Sequence, residues 1–215
     1  MADGAPPVVE AVLFDLLTAL LDSWTLWDRA AGDAREGRRW REHYLAITYG
    51  AGGYRPYEDL VREAAVQAGV PSRAATTLLD TWDALAPWPE AARVVTALRA
   101  RGPVGVVTNC SEALAARAVA RLGVPLDLVV TAERAGAYKP DARPYRLALA
   151  GLGCAPGRVL FVAGSPNDLP GAGGVGMPVA WHNRVGLPRP GHVAPPWVEL
   201  ATLDALPGLL APGGA

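Results

Sequence analysis

Four residues in this chain could do chemistry together: Asp15, Thr108, Lys139 and Asp168. Each stands at or just beyond the end of an apolar stretch. The run Val8 to Phe14 has strand length, carries β-branched Val8, Val9 and Val12, and ends abruptly in Asp15. A carboxylate flanked by Phe14, Leu16 and Leu17 is partly desolvated, which suits it to act as a nucleophile or to hold a metal. The same residue would equally serve as a helix N-cap after a strand. A second stretch ends in Thr108-Asn109-Cys110-Ser111, where hydroxyls could donate to an anion. The third polar group is Lys139 in Ala137-Tyr138-Lys139-Pro140-Asp141, and an ammonium beside a carboxylate keeps it ionised. Asp168 closes Ala163-Gly164-Ser165-Pro166-Asn167-Asp168 as a second carboxylate.

Elements that alternate between strand and helix must position these groups. The pattern predicts strands at 8–14, 104–108, 128–132, 159–163 and 178–182. Helices are predicted at 90–101, 111–122, 142–152, 167–175 and 203–210. Such alternation means an α/β fold, a Rossmann-like parallel sheet with helices on both faces. Parallel strands bring their carboxyl ends to one crevice, so the four polar groups converge. Between about Leu20 and Leu85 no strand pattern occurs. Trp24, Trp27, Ala31 and Arg35 recur at helical spacing, and Arg38–Thr48 follows. After a Gly/Pro/Tyr linker come helices at 57–68 and 72–85, the latter with Ser72 as N-cap. The organisation expected is a core of residues 1–19 and 86–215, with residues 1–7 a loose leader, and an all-helical, four-helix cap at 20–85. The cap leaves just after Asp15 and should cover it.

Composition narrows the function. The 215 residues include 51% hydrophobic and 19% charged side chains, which marks a globular protein. Twenty Lys and Arg against 21 Asp and Glu give no electrostatic case for nucleic acid or an anionic membrane. The longest apolar runs fall short of a membrane span, and no signal-peptide layout is expected at the N-terminus. Two cysteines, Cys110 and Cys154, do not make a disulfide framework, so a reducing cytoplasm is the expected compartment.

The order of the four polar groups, with a helical insertion after the first, resembles the haloacid dehalogenase superfamily. Its phosphatases carry a second Asp two residues after the nucleophile as general acid, where this chain has Leu17. They also hold magnesium through a Gly-Asp-x-x-x-Asp pattern, where this chain has Gly164 in place of the first Asp. The 2-haloacid dehalogenase branch shares both losses. Halide leaves as a stable anion and needs no proton, and no phosphoryl charge has to be neutralised. Further likenesses to that branch are Trp40-Arg41-Glu42-His43-Tyr44-Leu45, the run Lys139-Pro140-Asp141 to Tyr145, and Trp181-His182-Asn183-Arg184. Departures are Thr18-Ala19 where the branch has Gly-Thr, and Ala163, Ser165 and Asn167 where it has Ser, Asn and often an aromatic.

The resemblance implies an aspartyl-ester mechanism on a small 2-haloalkanoic acid. Asp15 is then the nucleophile, Lys139 keeps it ionised, and Arg41 receives the leaving anion or the substrate carboxylate. Thr108, with the backbone around Leu16 and Asn109, binds the carboxylate. Asp168, with Ser165 or Lys139, orients water. Leu17, Tyr44, Leu45 and Leu60 wall an apolar pocket, and Tyr145 belongs to the substrate side. No cofactor is expected, and the partners are a small-molecule substrate and, by resemblance, a second copy in a homodimer. Two alternatives stay open: a magnesium-dependent phosphatase with Asp15 and Asp168 as ligands, and an idle member that binds a small anion or a partner. Blander roles also stay open: Arg41 on a solvated arginine-rich face, Thr108 satisfying a strand end, and Tyr145 packing on the sheet. Trp24 and Trp27 read most simply as cap packing.

Overall fold

The computed structural model describes residues 7–210, so the expected leader lies outside the described residues except for Pro7. Six parallel strands form one sheet: β1 (Ala11–Phe14), β2 (Val104–Thr108), β3 (Leu128–Thr131), β4 (Val159–Ala163), β5 (Val179–His182) and β6 (Val198–Leu200), in the order β3-β2-β1-β4-β5-β6. The strand that carries Asp15 is therefore central. It pairs with β2 through Val12–Val104 and with β4 through Phe14–Val162.

Alternation along β1 sends Ala11 and Leu13 to one face and Val12 and Phe14 to the other. One layer holds α8 (Ala142–Leu152) and α9 (Asp168–Gly174) over Ala11, Leu13, Phe161 and Trp181. The other holds α5 (Ala91–Arg99) and α6 (Glu112–Ala120) over Val12, Phe14, Val106 and Val162. Both faces of the sheet are covered, which is why its strands read as continuous apolar runs. Short helices α7 (Ala132–Ala135) and α10 (Leu206–Leu209) complete the core.

The insertion consists of α1 (Ser23–Ala31), α2 (Ala34–Gly50), α3 (Tyr57–Ala68) and α4 (Arg73–Asp80). Asp22 and Asp33 cap the first two by accepting from the backbone N–H of Thr25 (3.0 Å) and Arg35 (2.8 Å). Gly32, at φ 85°, breaks the helical spacing that runs from Trp24 toward Arg35. Ser72 occupies the N-cap position of α4 but makes no cap hydrogen bond there. The cap interior (Trp27, Trp40, Tyr57, Leu78, Trp82) is one continuous apolar cluster with the α5/α6 side of the core. The chain leaves and re-enters the core through a two-stranded stalk, with Leu21 bridging Pro87 and Asp22 N–H donating to Ala86 at 2.8 Å.

The sequence reading needs three corrections here. The first strand begins at Ala11, and Val8 is exposed because it precedes the pairing with β2 and β4. The stretch after Asp15, to which the sequence reading assigned no element, is a π-helical turn, Leu16–Leu20. A sixth strand, β6, follows a Pro-rich segment in which no strand was expected.

Candidate active site

The site begins where β1 stops. Asp15 N–H still donates to Val162 at 2.9 Å, so the nucleophile candidate is fixed by the sheet ladder itself. Its carboxylate then turns to cap the π-helical turn. Oδ2 accepts from the Thr18 N–H at 2.7 Å and from the Thr18 hydroxyl at 2.5 Å. Oδ1 accepts from Lys139 Nζ at 2.7 Å, and the same ammonium donates to Asp168 Oδ1 at 2.9 Å. Asp15, Lys139 and Asp168 are 6%, 3% and 6% exposed, so this trio is nearly dry.

Two buried carboxylates share one cation, and they respond in opposite directions. Burial pushes the Asp15 carboxyl up, but Lys139 and the two Thr18 hydrogen bonds outweigh it and hold it below its ordinary value. Burial also pushes Asp168 up. There Lys139 only partly compensates, the Asp15 charge adds to the rise, and the group is lifted to about 6. Burial pulls Lys139 down, yet two facing carboxylates raise it above the usual lysine value. Asp15 is thus the carboxylate kept ionised, and Asp168 the one poised to exchange a proton near neutrality.

Neighbouring side chains hold this arrangement. Asn109, just past β2, donates from Nδ2 to the Lys139 carbonyl (3.0 Å) and accepts from the Lys139 N–H (2.7 Å). Its own carbonyl accepts from the Tyr44 hydroxyl of α2 at 2.9 Å, a latch between cap and core. Tyr145 donates to Asp168 Oδ1 at 3.4 Å while its ring packs edge-on against Phe161.

A cavity of about 50 Å³ opens over Asp15, Lys139 and Asp168. Of the residues expected from the sequence, Leu17, Arg41, Tyr44, Leu45, Asn109 and Ser165 line it as well. Arg41 lies 4.0 Å over the Trp24 ring and donates to Ser23 Oγ at 3.0 Å, which fixes its guanidinium as part of the wall and not of a solvated face. Thr18, Trp27, Tyr49, Tyr57 and Asn167 also line it and were not singled out as site residues. The signals were present: Trp27 and Tyr57 belong to buried helix faces, and Thr18 stands three residues after Asp15.

Four expected residues keep their side chains out of the cavity, though the expectation for Leu16 concerned its backbone. Thr108 is fully buried, 3.5 Å from Cys110 Sγ, because alternation along β2 puts it on the packed face that carries Val104 and Val106. Leu60 sits in the cap interior, on the buried face of α3. The Leu16 side chain is likewise core, and its carbonyl accepts from Leu21 N–H. Tyr145 reaches the cavity only through Asp168. Cys110 is an inert thiol, which burial pushes up to about 12.

The two carboxylates that a divalent cation would need, Asp15 and Asp168, both accept from Lys139, so an ammonium bridges them. A side chain at position 164 has no room, since a Cβ there would lie 2.2 Å from Thr18 Oγ1 and 2.3 Å from Ala19 N. Among the described residues no cluster of three His, Cys, Asp or Glu side chains is placed to hold a metal.

This geometry sits within known company. The family model for haloacid dehalogenase-like hydrolases matches residues 9–176. The chain belongs to the haloacid dehalogenase-like hydrolases. Among curated members of the family, (S)-2-haloacid dehalogenase 1 of Pseudomonas sp. (strain CBS-3) is 30% identical, over 94% of this chain and 96% of its own. The (S)-2-haloacid dehalogenase of Pseudomonas sp. (strain YL) is 29% identical, over 83% of this chain and 84% of its own. A crystal structure of a dehalogenase in an intermediate complex superposes with a TM-score of 0.86 at 27% identity, covering 96% of this chain and 99% of that one. The hydrolase fold, the parallel sheet and the cap over the strand ends are those of this family. No helix among the described residues is long and apolar enough to cross a membrane.

Proposed function

We propose that this enzyme hydrolyses the carbon–halogen bond of a small (S)-2-haloalkanoic acid without a metal. The observation that carries the reading is the state of Asp15. Its carboxylate is buried, held ionised by Lys139 and Thr18, and faces a cavity in which Leu17 stands two residues on, where a proton donor to a leaving oxygen would be. A nucleophile so placed suits a leaving group that departs as a stable anion. The relatives' names supply the (S)-2-haloacid class.

The steps follow from these roles. Asp15 attacks C2 of the substrate in line with the halogen, forms an ester bond to carbon, and the halide departs with the bonding pair. Arg41, at the cap side of the cavity, receives that halide or the substrate carboxylate through its forked donors. Asp168 accepts a proton from water as the water adds to the ester carbonyl of Asp15, and collapse releases the 2-hydroxy acid and restores the carboxylate. Lys139 keeps its charge throughout. The cavity, about 50 Å³, is small, which suits a short-chain acid. Leu17, Leu45 and the cap aromatics keep bulk water away from the ester. The free thiols Cys110 and Cys154 support a reducing compartment, and the cytoplasm is the location this reading assigns.

The test is halide release from the two enantiomers of 2-chloropropionate in the presence of a chelator. The expected result is chelator-insensitive release from the (S) enantiomer, lost in Asp15→Asn. Turnover of a phosphate ester that requires added magnesium, with no halide release, would overturn the reading.

A further inference from the structure

The turn after the nucleophile leaves backbone carbonyls without helical partners. The π-helical turn ends at Leu20, and Leu21 is extended (φ −120°, ψ 150°). The carbonyls of Thr18, Ala19 and Leu20 must therefore be satisfied from outside the turn. Two core residues do it. Trp88 Nε1–H donates to the Thr18 carbonyl at 3.0 Å, and Trp88 backbone N–H donates to Leu20 at 2.9 Å. Between them, His182 Nδ1 lies 2.9 Å from the Ala19 carbonyl. A carbonyl only accepts, so Nδ1 carries the proton and the tautomer is set.

Both donors are themselves held. His182 is fully buried at the end of β5, and the Trp88 ring packs edge-on against it. Arg184 lies over the Trp88 ring and donates to Glu90 at 3.1 Å. Glu90 also accepts from the Thr202 hydroxyl and the Leu203 N–H, and lies 3.8 Å from His182 Nε2, which has no hydrogen-bond partner among the described residues.

We propose that Trp88 and His182 are positioning residues for the nucleophile: by holding three successive carbonyls they aim the Thr18 N–H and hydroxyl at Asp15 Oδ2. This rests on the reading of Asp15 as nucleophile. With Oδ2 fixed by Thr18 and Oδ1 by Lys139, the carboxylate plane has no freedom to rotate. Releasing the turn lets it swing, and a misplacement on the order of 1 Å costs up to about 100-fold in rate.

The variants are Trp88→Phe, which keeps a ring but loses Nε1–H, His182→Leu, and His182→Asn, whose side-chain amide N–H can stand where Nδ1–H stood. In (S)-2-chloropropionate turnover, Trp88→Phe and His182→Leu should lower kcat by about 10-fold or more with KM within about twofold, and His182→Asn should recover most of the loss. The second readout needs no turnover. The Thr18 amide proton, downfield in the NMR spectrum because it donates to a carboxylate, should move upfield in Trp88→Phe and His182→Leu and stay in His182→Asn. Parental kcat and an unmoved Thr18 amide in Trp88→Phe would overturn the proposal, even where His182→Leu fails to fold. If the parent protein releases no halide, the functional reading fails, and the Thr18 amide still decides the clamp.

Discussion

The two sides of the cavity are built differently. On the core side Asp15 and Asn109 follow β1 and β2 directly, Lys139 lies in the turn before α8 and Asp168 opens α9, and the four are bonded to one another within 3.0 Å. On the cap side Trp27, Tyr44, Leu45, Tyr49 and Tyr57 present rings and alkyl groups, with Arg41 among them. Across the cavity wall the Tyr44 hydroxyl donates to the Asn109 carbonyl, and outside it Tyr138 donates to the Arg55 carbonyl and Ser111 to Glu58. The difference separates two tasks. Sheet ladders hold the reacting groups, and helix faces choose what lies against them. Substitutions on the core side should therefore act on kcat, and those on the cap side on KM.

The largest break should be Asp15→Asn, with kcat lower by roughly 10⁴-fold or more. Next comes Lys139→Met. It leaves two buried carboxylates facing each other without their cation, so denaturant unfolding should show a loss of about 3–5 kcal/mol alongside loss of turnover. Arg41→Lys removes the fork and the stacking on Trp24. KM should rise by about 10-fold to 100-fold from the loss of about 1.5–3 kcal/mol of charge-assisted bonding, with kcat changed less. A change confined to kcat would erase the division between the two sides. The smallest effect is in the pH profile. Asp168 must be ionised to accept a proton from water, so kcat should fall on the acid side, with a midpoint below the value of about 6 of the free enzyme because the ester removes the Asp15 charge that helps raise Asp168. Asp15, held below its ordinary value, stays ionised across that range. The Tyr145 hydroxyl donates to Asp168 and lowers its pKa, so Tyr145→Phe should move the acid limb to higher pH.

Much of the core side was legible in the sequence because a buried parallel strand announces both itself and its end. Asp15 follows from that, while Lys139 and Asp168, further from their strands, came from the order of the polar groups. What spacing does not carry is direction. Thr108 ends β2 as Asp15 follows β1, yet its side chain lies on the packed face of the sheet against Cys110. Leu60 and Tyr57 lie on the same buried face of α3, and only Tyr57 reaches the cavity. The π-helical turn was illegible because Leu16-Leu17-Thr18-Ala19-Leu20 is uniformly buried and offers no period to read. β6 escaped notice because three residues with Glu199 between Val198 and Leu200, after a run rich in proline, carry too little pattern. The displaced hydroxyl of Thr18 still reaches Asp15, which no motif comparison could have told.

Gly164 bears on how this sequence could change over generations. An aspartate at that position would collide with the Thr18 hydroxyl and also with the backbone at Thr18 and Ala19, so trimming the Thr18 side chain alone would not make room. The turn that aims Thr18 at Asp15 would itself have to shift, and Asp15 would lose hydrogen bonds with it. A lineage moving from this site toward one with three carboxylates therefore has no productive single step, because the new side chain and the path of the backbone beside the nucleophile must change together.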